Sequence, residues 1–355
     1  MPDDKLLVAT RKGLLTLTRA SNGWTVTDHA FPGVPVTSMV ADPRDGAVYA
    51  ALKHGHFGAK LHRSDDGGYS WSEIATPAFP ATAAGAPSVL QFWILEPGGE
   101  RGEVWAGAIP AGLFRSADRG ATWEFVAALW NVPERARWFG GGYDDAGIHS
   151  ISPDPRDRAR VFVAISCGGV WETRDAGETW ALEGDGMVAT YLPPENAGDR
   201  ATQDPHRVAR CAAAPDVMWM QHHCGIFRST DAGATWTQLR LPGDDFGFAV
   251  AAHPRDPATA WFVPAIKDEL RIPRDGALAV TRTRDGGRTF ESLREGLPQR
   301  GAYDLVYRHG LDVDATGNAL AMGSTTGALW TSDTAGESWR LVNAHLPPIY
   351  GVRFM

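Results

Sequence analysis

A histidine or a cysteine recurs at the matching position of three similar apolar segments of this sequence. The segments begin at Val48, Val161 and Val217, and a histidine or a cysteine stands at the same offset after each valine. These residues are His54, Cys167 and His223. Two further histidines, His149 and His206, stand shortly before the second and third segments. Because equivalent offsets occupy equivalent points of a repeating fold, we expect these side chains to converge.

Converging imidazoles have the chemistry of a transition-metal site. Neutral imidazole and thiolate are ligands for zinc, copper and iron. A carboxylate would complete the set, with four candidates: Asp144, Asp145, Asp204 and Glu269. The sequence therefore predicts a metal site with five candidate ligands: His54, His149, His206, His222 and His223. Two other interpretations stay open. In the first, the imidazoles are the hydrogen-bonded lining of a polar channel. In the second, they bind an anion.

A second group of residues has the chemistry to bind and transform a small polar or anionic ligand. The substrate-binding candidates combine cations and aromatic rings: Arg137, Trp138, Tyr143, Lys267 and Arg271. The catalytic candidates are two carboxylates that would act as a general base, Glu269 and Asp144. The alternatives are a lid around Gly140 that only plugs a channel, and a solvated charged loop around Lys267.

The three cysteines do not indicate a disulfide framework. Cys167, Cys211 and Cys224 are an odd number in a chain of 355 residues, so we expect reduced thiols. Cys167 and Cys224 would be reactive if a neighbouring histidine lowered the thiol pKa. Burial in the core is the more frequent role, and it is the role we expect for Cys211.

These residues lie between copies of one repeated motif, Ser/Thr-x-Asp-x-Gly-x-Ser/Thr-Trp/Phe. Complete copies span Ser64–Trp71, Ser116–Trp123, Thr173–Trp180, Ser229–Trp236 and Thr283–Phe290. A weakened copy spans Ser332–Trp339, and an eroded copy without its Asp ends at Trp24. The motif suits a β-hairpin corner, since Asp and Ser accept hydrogen bonds from turn N–H groups and Gly permits positive φ. Copies spaced about 50 residues apart are typical of a β-propeller.

The motif copies resemble the Asp-box, or BNR, repeats of sialidases, sortilin-type receptors, xyloglucanases and photosystem assembly factors. The chain is most similar to bacterial BNR-repeat proteins that are loosely labelled sialidase-like or glycosyl-hydrolase-like. The resemblance implies an all-β fold, a seven-bladed β-propeller of four-stranded antiparallel blades over residues 1–355 as one domain. It implies little about activity, because Asp boxes in that superfamily are structural corners away from the binding face.

A sialidase-like glycosidase is the least favoured function. Sialidases clamp the substrate carboxylate with three arginines and use a Tyr–Glu pair and an Asp, in a ring of six blades. Seven blades are predicted here, or six if residues 1–30 extend a neighbouring sheet. The arginines that would reach the binding face have no sialidase-like sequence context: Arg11, Arg137, Arg207 and Arg271.

Each repeat is expected to supply four strands, named A to D from the ring axis outward. The C-terminal run Ile349–Phe354 is predicted to pair with Leu6–Thr10 and close the ring, because closure removes exposed sheet edges. In the last blade, strand A is predicted at Asp304–Arg308.

Turns between strands A and B, such as the one at Asp42, share a face with the motif corners. We call this the box face, and the opposite face, with the variable B–C and D–A loops, the loop face. Function is expected on the loop face.

Composition limits the function classes. The chain has 34 Lys and Arg against 42 Asp and Glu, a formal net charge of −8, which argues against a nucleic-acid-binding surface. The sequence has no apolar run of membrane-spanning length and no basic segment followed by an apolar stretch at its start, so a cytoplasmic protein is expected.

Two function classes remain. One is an enzyme with a small-molecule site on the loop face, in particular a metal-dependent hydrolase. The other is a non-catalytic propeller that binds or assembles protein partners. Titratable groups directed at one point favour the enzyme, whereas a broad aromatic rim favours a partner surface.

Overall fold

The strands form seven four-stranded antiparallel sheets in a ring, which confirms the seven-bladed β-propeller. The structure is a computed structural model, and it describes residues 4–21, 23–81, 87–241 and 243–355. Each sheet is a blade whose strand A lies nearest the ring axis. No helix in these ranges is long and apolar enough to cross a membrane.

The first four blades contain the following strands. Blade 1 begins with β1 (Lys5–Thr10), β2 (Gly13–Ala20) and β3 (Gly23–Ala30). Blade 2 consists of β4 (Val36–Ala41), β5 (Val48–Lys53), β6 (Ala59–Ser64) and β7 (Ser72–Ile74). Blade 3 consists of β8 (Gln91–Pro97), β9 (Val104–Ile109), β10 (Leu113–Ser116) and β11 (Glu124–Phe125). Blade 4 consists of β12 (Ile148–Asp154), β13 (Asp157–Ile165), β14 (Gly169–Thr173) and β15 (Ala181–Glu183).

The remaining blades complete the ring. Blade 5 consists of β16 (Pro205–Arg210), β17 (Met218–His222), β18 (Gly225–Ser229) and β19 (Thr237–Leu239). Blade 6 consists of β20 (Phe246–Ala252), β21 (Ala260–Ala265), β22 (Val280–Thr283) and β23 (Glu291–Leu293). Blade 7 consists of β24 (Leu311–Val313), β25 (Leu320–Gly323), β26 (Leu329–Ser332) and β27 (Arg340–Asn343). The final strand, β28 (Ile349–Phe354), returns to blade 1.

Short helical turns occur only in the loops of the described ranges. The α-helix α1 covers Ala127–Trp130. Turns of 3-10 helix cover Gly55–Phe57, Pro133–Arg137, Arg200–Thr202 and Arg274–Gly276.

The ring closes as the sequence predicts. Strand β28 pairs antiparallel with β1, with Leu6 opposite Phe354 and Val8 opposite Val352. Ile349 is fully buried, and Val352 and Phe354 are nearly so, in a core shared with blade 7. The C-terminal strand therefore supplies strand A of the first blade and leaves no free inner edge there.

Each complete motif folds into the predicted corner. In the copy that ends at Trp236, the Asp231 carboxylate accepts hydrogen bonds from the Thr235 N–H (2.9 Å) and the Thr235 hydroxyl (2.6 Å). The Gly233 N–H donates to the Ser229 hydroxyl (2.9 Å), and the Trp236 indole donates to the Gly233 carbonyl (2.9 Å). The Ala232 N–H donates to the carbonyl of Asp216 in the A–B turn (2.8 Å), so these turns do share the box face.

The two imperfect motif copies compensate for each other. Arg19, which replaces the Asp of the first copy, forms an ion pair with Asp333 of the last copy at 2.6 Å. In that last copy, the Thr334 hydroxyl accepts the hydrogen bond from the Ser338 N–H (2.9 Å) that an Asp accepts elsewhere. Blades 1 and 7 are therefore joined across the box face as well as through β28.

Strand A of the last blade is not where the sequence predicts it, and the prediction of Asp304–Arg308 was wrong. The strand is Leu311–Val313, because Asp314 begins the A–B turn. The Asp314 carboxylate accepts hydrogen bonds from the N–H groups of Gly317 (3.0 Å) and Ala319 (3.0 Å). The segment 304–308 instead belongs to the D–A loop and contributes to the loop face.

Candidate functional site

A cavity of about 740 Å³ opens on the loop face. Its walls come from the D–A loops, the B–C loops and the first residues of several A strands around the ring axis, with contributions from blades 1, 2, 3, 6 and 7. A pocket of this size suits a metabolite-sized ligand. Four of the described cavity-lining residues carry a cationic side chain: Arg11, Lys53, Arg271 and Arg308. None of the described lining residues is Asp or Glu. The cavity is therefore electropositive.

Arg308 is the distinctive residue of this cavity. Its guanidinium lies 4.5 Å from the centre of the Trp93 ring and 5.1 Å from that of Phe248. It makes no hydrogen bond or ion pair with any residue that the structure describes, and its buried Nε has no partner. Burial lowers the pKa of Arg308 to about 10, so the side chain stays charged near neutral pH. The charge of the Asp204 carboxylate stabilises this partly buried cation without contacting it, and an anion in direct contact would stabilise it further.

Aromatic rings form the cavity walls. Trp93 and Tyr143 meet edge to face at 5.5 Å, and Tyr307 lies 6.3 Å from Tyr350. The Lys53 ammonium lies 5.9 Å from the Tyr143 ring. Such rings give flat apolar surfaces with polar edges, which suit a planar or ring-shaped ligand.

A cluster of three ligand-type side chains lies beside the cavity, formed by Asp204, His206 and His223. The Asp204 Oδ2 atom is 3.2 Å from His206 Nε2 and 3.4 Å from His223 Nδ1. All three ligand atoms lie within 4.8 Å of one another. Burial alone would raise the pKa of Asp204, but the two histidines and Arg308 outweigh it and hold the pKa well below its usual value. The carboxylate is therefore ionised.

The cluster is separated from the cavity by a single layer of residues. The His206 ring stacks on the cavity-lining Phe248 ring, with centroids 4.4 Å apart. Gly141 also lines the cavity, and a Cβ atom there would lie 2.9 Å from Cys167 Sγ and 3.3 Å from Asp204 Oδ2. The glycine at this position lets the loop lie directly over the cluster.

The structure brings together two of the five predicted metal ligands, His206 and His223. His222 is adjacent in sequence, but its ring nitrogens face the backbone N–H groups of Asp204 (3.2 Å) and Cys224 (3.0 Å). Burial lowers the pKa of His222 to about 3. The ring is therefore neutral and is occupied by backbone contacts.

The other two predicted ligands lie elsewhere. His54 lines the cavity and packs edge to face against Phe57 at 5.3 Å. His149 is fully buried, with Nδ1 3.1 Å from the Ser150 hydroxyl. Its ring is 5.7 Å from Trp93, and burial holds its pKa well below the usual value. Neither residue belongs to the group that contains Asp204.

Two of the predicted substrate-binding residues, Tyr143 and Arg271, line the cavity. Arg271 also forms an ion pair with Asp268, and its guanidinium lies 5.3 Å from the Phe248 ring. Arg137 instead pairs with Asp199 at 2.7 Å and is half exposed. Trp138 packs against the buried Trp171 ring at 5.9 Å, and neither Arg137 nor Trp138 is among the cavity-lining residues.

The two predicted catalytic carboxylates are on the surface. Glu269 and the predicted ligand-binding residue Lys267 form an exposed ion pair at 3.3 Å. A hydrogen bond from its own backbone N–H and the contact with Lys267 lower the pKa of Glu269, which weakens it as a base. Asp144 is exposed, and none of these three residues is among the described cavity-lining residues.

The cysteines are not disposed as nucleophiles. Burial raises the pKa of the Cys167 thiol, so its reactive thiolate form is disfavoured. The Cys224 sulfur accepts hydrogen bonds from the N–H (3.2 Å) and the hydroxyl (3.3 Å) of Thr190. Cys211 is buried in the core, as the sequence predicts.

Sequence reasoning missed the central residue of the site, Arg308, together with Trp93 and Phe248. A signal for Arg308 was available. Asp42 and Asp154 each end strand A at its turn, and an alignment of Asp314 with them would have placed strand A after residue 310. Arg308 would then have fallen on the loop face.

Comparisons with known proteins place the chain among propellers. No family model matches the sequence. A xyloglucanase from Paenibacillus sp is 24% identical over 303 residues, which are 72% of this chain and 28% of that protein. The chain spans less than a third of the length of the curated relatives it matches.

Solved structures give the same result for the fold. The GH74 xyloglucanase from Xanthomonas campestris matches with a TM-score of 0.67 at 19% identity, covering 96% of this chain and 52% of that chain. YCF48 bound to D1 peptide matches with a TM-score of 0.57 at 15% identity, covering 93% of this chain and 89% of that chain. The chain is thus a seven-bladed β-propeller similar to GH74 xyloglucanases and to YCF48.

Proposed function

We propose that the loop-face cavity binds a small anionic organic ligand and that Arg308 holds the ligand's negative charge. The observation that carries this proposal is the partly buried Arg308 guanidinium, which lies between the Trp93 and Phe248 rings and makes no direct ion pair with the described residues. A carboxylate or phosphate would supply a direct ion-pair partner. The planar guanidinium suits such groups because it donates two parallel hydrogen bonds.

The rest of the cavity supports the same ligand class. Arg11, Lys53 and Arg271 surround the opening with further positive charge, which raises the local concentration of anions. Tyr143 and Tyr307 offer aromatic surfaces to the uncharged part of the ligand. The volume of about 740 Å³ accommodates a metabolite rather than a folded partner.

Glycoside hydrolysis has less support at this cavity. Most glycosidases use two carboxyl groups that flank the bond they cleave. The cavity-lining residues in the described ranges include neither Asp nor Glu. The similarity to xyloglucanases therefore transfers the fold, and the cavity favours an anion as its ligand.

Metal-dependent hydrolysis of the bound anion is the second candidate function. The Asp204, His206 and His223 cluster favours it, because Gly141 of the cavity wall lies directly over the cluster. A zinc, copper or iron ion held there would lower the pKa of a bound water molecule and make it a nucleophile. Loss of hydrolysis of anionic esters in His206→Ala, with activity kept in the exposed-histidine variant His56→Ala, would test this candidate.

Calorimetric titration with matched ligand pairs tests the binding proposal. We expect gluconate to bind in preference to glucose, and benzoate in preference to benzamide, with affinity that falls as salt rises. Arg308→Gln should abolish this preference, whereas Arg284→Gln, which changes an exposed arginine in a motif corner, should keep it. Equal binding of the neutral and anionic members, or unchanged binding in Arg308→Gln, would overturn the proposal. Binding of a protein segment with no response to any small anion would favour the protein-binding alternative instead.

A further inference from the structure

The ligand atoms of Asp204, His206 and His223 lie within 4.8 Å of one another. We propose that this cluster binds one divalent transition-metal ion, with zinc the best fit. Zinc binds histidine nitrogen and carboxylate oxygen at about 2.0–2.2 Å in tetrahedral sites, which separates neighbouring ligand atoms by about 3.4 Å. The distances from Asp204 Oδ2 to the two imidazole nitrogens, 3.2 and 3.4 Å, match that separation.

Hydrogen bonding orients the His206 ring as a ligand. Its Nδ1 lies 2.6 Å from the Gly247 carbonyl oxygen and therefore carries a proton and donates. In the neutral ring, Nε2 is then an acceptor, and it faces the Asp204 carboxylate at 3.2 Å. Two acceptors at this distance repel unless a proton or a metal cation lies between them. A backbone carbonyl that fixes the tautomer in this way is the usual outer support of a metal-bound histidine.

The Asp204 carboxylate is oriented in the same manner. Its Oδ1 accepts hydrogen bonds from the Ser166 hydroxyl (3.0 Å) and from the Cys167 N–H (3.1 Å). Oδ2 is thereby left to face the two imidazoles. Because the Asp204 and His206 side chains are each only 3% exposed, a bound cation would neutralise a carboxylate that water reaches poorly.

The ligand count indicates an open site. Three protein ligands with a fourth position left for water or substrate are typical of catalytic zinc, whereas structural zinc is bound by four side chains. Gly141 packs against the cluster from the side of the cavity, where a Cβ atom would come within 3.3 Å of Asp204 Oδ2. The metal proposal depends only on the cluster, so it stands or fails independently of anion binding at Arg308.

Metal binding by tag-free protein tests the proposal. Protein dialysed against a chelator is titrated with Co²⁺, whose visible absorption reports tetrahedral coordination, and with Zn²⁺ in competition. We expect one ion per chain, and an affinity at least about 100-fold weaker in His206→Ala and in His223→Ala. His56→Ala, which changes an exposed histidine outside the cluster, should bind like the native protein.

A conservative variant separates loss of a metal ligand from loss of the fold. Asp204→Asn keeps the side-chain shape and its hydrogen bond from the Cys167 N–H but removes the charge, and thermal unfolding would confirm that it is folded. We expect it to lose Co²⁺ binding as well. Less than stoichiometric binding after reconstitution, or unchanged affinity in a folded His206→Ala, would overturn the proposal. The cluster would then be an ion pair between a protonated His206 and Asp204.

Discussion

The two faces of the propeller each contain an arginine that shapes a polar site, and the two arginines differ in how they are held. On the box face, the buried Asp42 carboxylate receives two hydrogen bonds from the Arg44 guanidinium, both at 2.8 Å, and Arg44 also donates to the Gly98 carbonyl. On the loop face, the Arg308 guanidinium has no such partner among the described residues. Arg44 is thus held by the chain's own acceptors, whereas Arg308 keeps donors that a bound anion would meet.

The same contrast holds for sequence regularity. On the box face, each complete motif repeats the same hydrogen bonds, as Asp175 and Asp231 do with the threonines that follow them. On the loop face, the cavity and the metal-type cluster draw on loops of different length and composition. Repetition thus builds the scaffold, and departures from repetition create the site.

The largest expected effect is on ring closure. Deletion of residues 349–355 removes the buried Ile349, Val352 and Phe354 and exposes the inner edge of β1. Since burial of each such side chain stabilises by about 1.5–3 kcal/mol, the free energy of unfolding should fall by at least about 4.5 kcal/mol. Chemical denaturation would measure this, with Ile349→Val, expected to lose about 1 kcal/mol, as the control. A deleted chain that unfolds at the native midpoint would refute terminal closure.

A smaller effect is expected at a single motif corner. Asp231→Ala removes the acceptor of the Thr235 N–H and hydroxyl, and should lower the free energy of unfolding by about 1–2 kcal/mol. Thr334→Ala, in the weakened corner, should lower the free energy of unfolding by about half as much. The reason is that the Thr334 hydroxyl accepts one backbone hydrogen bond, from the Ser338 N–H, whereas Asp231 accepts two hydrogen bonds from Thr235. Glu195→Ala changes an exposed residue and serves as the control. Equal losses in all three variants would show that the corners do not stabilise the fold.

The smallest effect per residue is an acid dependence of stability. Hydrogen bonds from the Arg156, Thr179 and Thr289 side chains lower the pKa of Asp154, Asp175 and Asp285 to about 2. These groups have a pKa of about 3.9 in the unfolded chain. Their contribution is therefore complete above about pH 4 and is lost as the pH falls towards 2.

Denaturant unfolding at a series of pH values between 6 and 2 would measure this dependence. The free energy of unfolding should decline below about pH 4. The decline should be shallower in Asp175→Asn, which keeps an acceptor but cannot titrate. A stability that is constant down to pH 2 would contradict the role assigned to these carboxylates.

The fold was predictable because its signals are local. Ser229, Asp231 and Gly233 bond within one turn, so their spacing determines a corner whatever surrounds it. The error in blade 7 has a physical reason as well. Leu305 and Val306 are buried like strand residues, although they belong to a loop packed against the core.

The site was less predictable because it depends on how loops of unequal length fold. His54 and His223 occupy the same offset, but His54 is followed by the helical turn Gly55–Phe57 and His223 directly follows β17. Equal offsets therefore did not give equal positions. The unpaired state of Arg308 could not be read from the sequence at all, because it depends on which side chains surround the guanidinium in the folded chain.

The most direct test of the contrast between the faces is a paired measurement of Arg308→Met and Arg44→Met, recording unfolding free energy and affinity for gluconate. Arg308→Met should lose gluconate binding and change stability by no more than about 1 kcal/mol, because its removal breaks no hydrogen bond or ion pair with the described residues. Arg44→Met should lose about 2–3 kcal/mol, because Asp42 is left buried without its partner, and should bind normally. If Arg308→Met instead loses stability as Arg44→Met does and still binds gluconate, Arg308 is a structural residue and the loop face is not an anion site.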